Sequence, residues 1–213
     1  LARQAIVVSG YVAGSIGPLG VKVGGGGATT TEAAESQFTD QAAALLEGGV
    51  DLLLLETFGE IVELEAAVRA VRRLSDLPLV AQVATGDDGL SLDGVTPEQF
   101  AGTLSVHGAT MVGVNCGPGP AATLETVERI AAATDVPLSA QPNAGGPKEV
   151  EGRRLVLTSP EFLASYARRY VAAGAGLVGG CCGTTPAHIA RIKRAVAALS
   201  APRPAILVPP ASA

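Results

Sequence analysis

The sequence predicts an α/β fold in which parallel strands alternate with helices, and three observations lead to this class. Six short apolar runs recur along the chain, and each is followed by a loop and a segment with apolar residues at helical spacing. The runs are apolar throughout, which is typical of parallel strands covered by helices. Several helix starts carry capping residues and proline. Two architectures fit this pattern, a (β/α)8 TIM barrel and a doubly wound open sheet.

The six β/α units follow one another from the N-terminus to about Leu199. We predict their strands at residues 6–12, 50–55, 79–83, 110–114, 136–140 and 175–178. Three of the helices are expected to begin at a capping residue followed by proline, namely Thr96-Pro97, Ser159-Pro160 and Thr185-Pro186. The Pro-rich segment 201–213 is predicted to be either a linker or a frayed terminus.

The composition is that of a globular domain and excludes several other classes of protein. The chain has 213 residues, of which 47% are hydrophobic and 16% are charged, and its formal net charge is -5. The acidic balance argues against a nucleic-acid surface. No apolar run approaches the roughly 18 residues of a membrane span, and the N-terminus lacks the pattern of a signal peptide. We therefore expect a cytoplasmic protein with neither nucleic-acid nor membrane partners.

Polar residues follow the first two predicted strands, at the edge of the sheet where α/β folds place their sites. The first strand runs into Gly14-Ser15-Ile16-Gly17-Pro18, whose glycines would let backbone N–H groups approach an anion. The second strand ends in Glu56-Thr57, directly after four leucines. A carboxylate there needs a partner, which could be a substrate ammonium group, an arginine or solvent.

All three cysteines fall at the ends of later strands in the same predicted sheet. The fourth strand ends in Asn115-Cys116, the fifth in Pro142-Asn143, and the sixth in Gly179-Gly180-Cys181-Cys182-Gly183. A lone cysteine is usually a small buried hydrophobe, but three at one edge favour a shared metal ion. Three thiolates suit zinc with its fourth position open, which is the mark of a catalytic zinc site. The flanking glycines would allow the sharp turn that two adjacent ligands require.

The remaining motifs carry less information. His107 and His188 lie at helix ends, where we expect surface or capping residues. This argues against a catalytic nucleophile formed by a cysteine and a histidine. The chain has no P-loop, and the glycine run 24–27 follows no suitable strand for a dinucleotide fingerprint. A phosphate site at residues 179–185 stays open as an alternative, because late barrel loops often bind phosphate.

Five motifs, in this order along the chain, resemble the homocysteine S-methyltransferase family, whose barrel is found in methionine synthase and in betaine–homocysteine methyltransferase. They are Gly14-Ser15-Ile16-Gly17-Pro18, Leu55-Glu56-Thr57-Phe58, Gly113-Val114-Asn115-Cys116, Pro142-Asn143-Ala144-Gly145 and Gly179-Gly180-Cys181-Cys182-Gly183-Thr184-Thr185-Pro186. Each motif alone is modest, and the five in order are specific over the chain to about Leu199.

The resemblance implies a (β/α)8 barrel that carries Zn2+ on Cys116, Cys181 and Cys182 and transfers a methyl group to the thiol of homocysteine, giving methionine. The zinc would hold the thiol as a nucleophilic thiolate. The chain looks most like bacterial forms fused to folate or cobalamin modules. We therefore expect methylcobalamin charged by methyltetrahydrofolate as the donor, with betaine and S-methylmethionine as alternatives. The expected partners are homocysteine and a methyl donor or a cobalamin- or folate-binding module.

The resemblance also implies roles for five residues in binding homocysteine. Glu56 would hold the amino group, and the backbone around Ser15 and Gly17 would face the carboxylate. The asparagine that corresponds to Asn143 lies near the metal in this family and can ligate it in the absence of substrate. Asn115 would be a further residue of the pocket.

The sequence departs from the family at its start. The family begins with a strand that carries an Asp-Gly-(small)-Met-Gly signature, and nothing similar precedes Ile6. We expect residues 1–200 to form strands three to eight of the barrel, without the first two β/α units and the acidic residue that they bring to the homocysteine site. The sheet should then be open between its first and last strands, or be closed by residues outside this sequence. A truncated barrel that binds zinc without turnover is the alternative to an active enzyme.

Overall fold

The computed structural model describes residues 2–6, 10–145 and 158–199, together with the backbone of residues 148–150 and 153–155. The strands are β1 (Ala13–Ile16), β2 (Leu52–Phe58), β3 (Leu79–Val83), β4 (Met111–Cys116), β5 (Leu138–Pro142), β6 (Lys148–Val150), β7 (Arg153–Leu155) and β8 (Ala175–Val178). The helices are α1 (Ala2–Ala5), α2 (Thr31–Glu47), α3 (Ile61–Leu74), α4 (Pro97–Val106), α5 (Pro120–Ala133), α6 (Pro160–Ala172) and α7 (Pro186–Val196). The tail at 201–213, expected to be a linker or a frayed terminus, lies outside the described residues. No helix within them is both long and apolar enough to cross a membrane.

Six of these strands form one parallel sheet whose spatial order is β1-β2-β3-β4-β5-β8. This order follows the chain, as in a barrel, whereas a doubly wound sheet reverses its strand order at a switch point. In the part of the chain that the structure describes, β1 and β8 stand at the two ends, so the sheet is open between them, as expected. The antiparallel pair β6–β7, with Lys148 opposite Leu155, was not predicted.

The first predicted strand is misplaced. We predicted residues 6–12, but Ile6 and residues 10–12 lie outside any strand, and residues 7–9 fall outside the described part of the chain. The first strand is β1, with the residues Ala-Gly-Ser-Ile, of which only Ile16 has a strong intrinsic preference for a strand. Its position is fixed by packing instead, because a Cβ on Gly14 would lie only 3.0 Å from Cδ2 of Leu53 in the neighbouring strand.

The other five strands lie where the sequence predicts them, although three continue further. The runs at 79–83 and 175–178 agree with β3 and β8, while β2, β4 and β5 extend two or three residues beyond their predicted ends. Glu56, Asn115 and Cys116 therefore belong to the strands themselves and not to the loops that follow. Polar residues can extend a strand here because their side chains find hydrogen-bond partners, Ser15 for Glu56 and Thr57 for Asn115.

The two faces of the sheet bury different side chains. The outer face packs against the helices in the main core, and its strand residues are apolar: Leu53, Leu55, Leu79, Ala81, Val83, Val112, Val114, Leu138 and Ala140. The inner face has a small apolar cluster of Leu52, Val80 and Met111, with Leu54 and Leu177 beside it. Because side chains alternate along a strand, Gln82 shares this inner face one step closer to the carboxyl edge. The inner face thus changes from apolar to polar toward the edge that carries the site.

The three predicted helix starts are confirmed. Thr96 and Ser159 accept hydrogen bonds from the third residue of α4 and α6, and Thr96 forms a capping box with Gln99. Thr185 caps α7 through a capping box with His188. His188 is therefore a capping residue, as predicted, but it is buried, and its Nε2 lies 3.0 Å from the carbonyl oxygen of Thr158.

Candidate metal and substrate site

The sulfur atoms of all three cysteines meet at the carboxyl edge of the sheet. Cys116 is the last residue of β4, and Cys181 and Cys182 lie in the turn between β8 and α7. The three Sγ atoms lie within 4.8 Å of one another, and those of Cys116 and Cys182 are 3.9 Å apart. Tetrahedral zinc with Zn–S bonds of about 2.3 Å separates its sulfurs by about 3.8 Å. The spacing therefore suits three ligands of one ion.

Backbone hydrogen bonds fix the turn that carries the two adjacent cysteines. The Cys181 N–H donates to the carbonyl oxygen of Pro142 at 2.8 Å, and the Cys182 carbonyl accepts from the N–H of Ala144 at 2.8 Å. The Thr184 hydroxyl donates back to the Cys181 carbonyl at 2.7 Å. Gly183 adopts a φ of +77°, which is open mainly to glycine. This turn lets two neighbouring side chains face one point, as the sequence required.

Two non-glycine residues within the described part of the chain adopt a positive φ, and both border the site. They are Thr57, with a φ of +67°, and Cys116, with a φ of +58°. This region is sparsely populated for residues with a Cβ, and for a β-branched residue such as threonine it is a clear outlier. Strained backbone of this kind persists where the surroundings hold it, often at functional sites.

The grouping of sulfurs makes a bound cation favourable. Burial, and after it the negative charges of Cys181 and Cys182, raises the pKa of the Cys116 thiol to about 11. At neutral pH this thiol keeps its proton unless a cation stabilises the thiolate, and a coordinating metal does so outright. Soft thiolate donors select zinc over the oxygen-loving divalent ions. The donor set therefore fits the zinc ion expected from the sequence.

Asn115 lies directly beneath the sulfurs and is 1% exposed. Its Oδ1 accepts from the backbone N–H of Thr57 at 2.8 Å, and its Nδ2 donates to Oγ1 of Thr57 at 2.8 Å. The same Nδ2 lies 3.6 Å from Sγ of Cys181. The predicted pocket residue thus contacts both a strand end and a cysteine of the cluster.

Glu56, Ser15 and Gly17 come together on the open side of the sheet. The Ser15 hydroxyl donates to a carboxylate oxygen of Glu56. A Cβ on Gly17 would have the carbonyl oxygen of Glu56 as its nearest neighbour, at 3.8 Å. None of the ion pairs found among the described residues involves Glu56. The Glu56 carboxylate is half-buried, and within the described part of the chain no arginine pairs with it, although the sequence had raised that pairing as an alternative.

Asn143 lies just beyond β5, beside the cysteine cluster and 8% exposed. Its Nδ2 donates to the carbonyl oxygen of Gly117, and its Oδ1 accepts from the N–H of Gly145 at 2.8 Å. The amide thus joins the turns that follow β4 and β5. The backbone N–H of Asn143 also donates to the Cys116 carbonyl at 3.3 Å, so Asn143 supports the backbone around Cys116.

The sequence analysis missed a buried polar layer below the site. The Nε2 of Gln82 donates to Oγ of Ser139 at 3.0 Å and to Oε1 of Gln141 at 2.7 Å. The Oε1 of Gln82 is buried and has no hydrogen-bond partner among the described residues. A glutamine and a serine inside predicted strands that are otherwise apolar were the signals that could have revealed this layer.

A cavity of about 430 Å³ opens at the same edge, next to Thr57. Glu63, in the first turn of α3, lines it together with Lys22 and Thr85. The Glu63 carboxylate accepts from the N–H of Leu19 at 2.7 Å, and burial raises its pKa. Glu63 thus joins α3 to the loop after β1, the loop that also carries the candidate carboxylate-binding backbone.

Comparisons with known proteins agree with the geometry of the site. The sequence pattern of the homocysteine S-methyltransferase family matches residues 1–196. Methionine synthase from Mycobacterium tuberculosis is 35% identical over 198 residues, and that from Mycobacterium leprae is 34% identical over 193 residues. These alignments cover 90% and 88% of this chain, but the chain spans only 16% of the length of each relative.

Solved structures show the same fold. The apo form of the homocysteine methyltransferase MmuM from Escherichia coli is 28% identical, with a TM-score of 0.71 over 87% of this chain and 63% of MmuM. Its metallated form is 27% identical, with a TM-score of 0.71 over 91% of this chain and 64% of MmuM. Since the family pattern covers nearly the whole chain and the fold agrees with that of a solved homocysteine methyltransferase, the chain belongs to the homocysteine S-methyltransferase family.

Proposed function

We propose that this chain forms the homocysteine-binding part of a zinc-dependent methyltransferase that converts homocysteine to methionine. The observation that carries the proposal is the group of three sulfurs, from Cys116, Cys181 and Cys182, at the carboxyl edge of the sheet. A zinc ion bound there would leave its fourth position for the homocysteine sulfur and lower the pKa of that thiol, so that the thiolate exists near neutral pH.

The neighbouring residues support a place for the amino-acid end of homocysteine. The free side of the Glu56 carboxylate accepts the ammonium group, and the Ser15 hydroxyl holds the other side of that carboxylate in place. The exposed backbone between Ser15 and Gly17 faces the substrate carboxylate. In the reaction the thiol proton leaves to solvent, the sulfur lone pair forms the new S–CH3 bond, and the donor keeps the electron pair of the bond that breaks.

The proposed architecture is a (β/α)8 barrel to which residues 1–200 contribute strands three to eight. Chain-ordered parallel strands and the similarity to MmuM support it. We propose that the methyl group comes from methylcobalamin charged by methyltetrahydrofolate on other modules, because the mycobacterial relatives are methionine synthases far longer than the matched segment.

The phosphate site considered as an alternative at residues 179–185 fits the structure less well. Cys181 and Cys182 both lie in this turn, and their sulfurs group with that of Cys116 as ligands for a cation, which an anion site does not require. Thr184 is also engaged, because its hydroxyl donates to the Cys181 carbonyl.

Metal analysis tests the proposal directly. Protein purified under reducing conditions should contain one zinc per chain, and a C116A/C181A/C182A triple variant should contain none. A variant with both exposed acidic residues Asp87 and Asp88 changed to alanine serves as the control and should keep its zinc. Protein without zinc, or zinc that survives loss of all three thiols, would falsify the proposed site.

Turnover separates an active enzyme from the truncated zinc-binding barrel. Metal-loaded protein is incubated with homocysteine and, in turn, methylcobalamin, betaine and S-methylmethionine, and methionine is measured. Methionine formed with one donor, and not by the triple cysteine variant, identifies that donor and excludes the non-catalytic alternative. Full zinc occupancy without methionine from any donor would favour the non-catalytic barrel.

A further inference from the structure

Asn115 joins two parts of the site that are far apart in the sequence. Both atoms of its amide contact Thr57, which directly follows Glu56 in β2, and the Nδ2 group also contacts Cys181 after β8. The side chain is 1% exposed, so it is shielded from bulk water and these contacts face little competition. A single buried amide therefore links the candidate ammonium-binding strand to the candidate metal ligands.

The chemistry of the contacts fixes which way this amide points. The backbone N–H of Thr57 can only donate, so the atom of Asn115 that faces it must be the oxygen. The Nδ2 group then faces Oγ1 of Thr57 at 2.8 Å and Sγ of Cys181 at 3.6 Å. A flipped amide would set N–H against N–H. The N–H group directed at the Cys181 sulfur is thus required by the hydrogen bonds of its neighbours.

The contacts to Thr57 also hold a strained part of β2. Thr57 has a φ of +67°, and the register of β2 against β3 shifts between Leu55 and Phe58. Both the N–H and the hydroxyl of Thr57 bind Asn115, which keeps the strand in this conformation. The position of the Glu56 carboxylate, one residue earlier, depends on the same bulge.

We propose that Asn115 is a positioning residue that fixes the spacing between Glu56 and the metal ligands and donates a hydrogen bond to the Cys181 thiolate. This inference rests on the proposed function. An N–H···S bond withdraws electron density from the sulfur, so the bound metal becomes a stronger Lewis acid, as outer-shell partners do in other metal sites.

Cobalt(II) is the probe for this inference, because thiolate-bound cobalt shows a sulfur-to-metal charge-transfer band whose energy reports the electron density on the sulfurs. Asn115→Asp keeps both contacts to Thr57, since the threonine hydroxyl can donate to the second carboxylate oxygen, but it removes the N–H group. Asn115→Ala removes the N–H group without adding a charge. Thr57→Val keeps the β-branched shape and the contact between Asn115 and Cys181 while removing one anchor of the strand.

Both Asn115 variants should bind one cobalt per chain with the band moved to longer wavelength. Thr57→Val should show the wild-type band, but homocysteine should bind about tenfold more weakly when titrated against that spectrum. If the band is unchanged in both Asn115 variants, or if Thr57→Val moves the band as far as they do, the inference about Asn115 is overturned. The proposed metal site is not affected by either result. If Asn115→Asp does not fold, the cobalt band of Asn115→Ala tests the inference in its place. Absence of any cobalt–thiolate band in the wild type overturns the proposed metal site, and this inference with it.

Discussion

Gln82 reaches across a whole strand to bond with Ser139. The donor lies in β3 and the acceptor in β5, 3.0 Å apart, although β4 runs between them. The residue of β4 in that row is Gly113, which pairs with Gln82 on one side and Ser139 on the other. A Cβ on Gly113 would overlap the carbonyl and hydroxyl oxygens of Ser139. The missing side chain is what allows the polar layer to close beneath the site.

Gly113→Ala should therefore be strongly destabilising. The added methyl meets backbone, which cannot move aside as a flexible side chain can, so we expect a loss of about 3 kcal/mol or more in the free energy of unfolding. Urea denaturation measures this loss. Gly102→Ala is the matched control, because a Cβ there meets nothing within 4 Å and the residue lies inside α4. The control should gain about 0.5 to 1 kcal/mol, and equal losses in the two variants would contradict the packing argument.

Glu35→Gln should destabilise the protein at neutral pH but not in acid. Glu35 joins α2 to α3 through Arg69 and Arg73, with N–O distances of 2.6 Å to each, and the Arg69 hydrogen bond lowers the pKa of Glu35. A lowered pKa gives stability above the ordinary value of 4.5 that is lost as pH falls below it. We expect a loss of about 1 to 2 kcal/mol at pH 7 that shrinks toward pH 3, in urea titrations at both values.

The exposed pair of Glu98 and Arg129 is the control for that variant. Its N–O distance is also short, 2.8 Å, and Arg129 lowers the pKa of Glu98 to about 2. Both side chains are well exposed, so solvent screens the pair, and Glu98→Gln should cost less than about 1 kcal/mol. A larger loss for Glu98→Gln than for Glu35→Gln would show that burial does not set the strength of these pairs.

The effect of Glu63→Gln on protein stability should show the opposite dependence on pH. Burial raises the pKa of Glu63, so its contribution to stability is complete below the ordinary value of 4.5 and is lost as pH rises through the raised pKa. Glutamine keeps an oxygen for the Leu19 N–H and carries no charge. Thermal midpoints should agree at pH 4, and the variant should become the more stable protein by pH 8. A variant less stable than wild type at pH 8 would show that the buried charge has a partner that glutamine cannot replace.

Glu56→Gln should weaken homocysteine binding and leave the metal in place. Loss of a charge-assisted hydrogen bond to the ammonium group should raise the dissociation constant by about 10- to 100-fold. Calorimetry with metal-loaded protein gives the constant, and elemental analysis gives the zinc content. Glu47→Gln, at the exposed end of α2, is the control and should bind homocysteine like the wild type. Equal affinity of Glu56→Gln and wild type would remove Glu56 from the site.

Much of this architecture could be predicted because it repeats a simple pattern. Five of the six strands and the capped starts of α4, α6 and α7 follow from apolar runs and local capping residues. The meeting of Cys116 with Cys181 and Cys182 follows from one rule, that parallel strands bring their carboxyl ends to the same edge. Apolar runs and capping residues were sufficient to predict the strands and helix starts whose positions are set by interactions between residues close in sequence.

The features that the sequence did not reveal depend on contacts between distant residues. β1 is held by its neighbours and not by its own composition, so the apolar run before it was mistaken for the strand. The link from Asn115 to Thr57 needs a positive φ in a β-branched residue, which no propensity favours. The Gln82 layer depends on a glycine in the strand between, and its sequence signal is one polar residue in each of two strands.

Cys116 and Cys182 are 66 positions apart in the chain, yet their sulfurs nearly touch. A cation held by both closes a loop that contains α5, β5, β6, β7, α6 and β8. Such a closure removes conformational freedom from the unfolded chain, as a covalent cross-link does, and ligand binding to the folded state adds its own stabilisation. A bound metal would therefore stabilise the second half of the sheet. Its removal by a chelator would loosen the strands that build the site as well as the site itself.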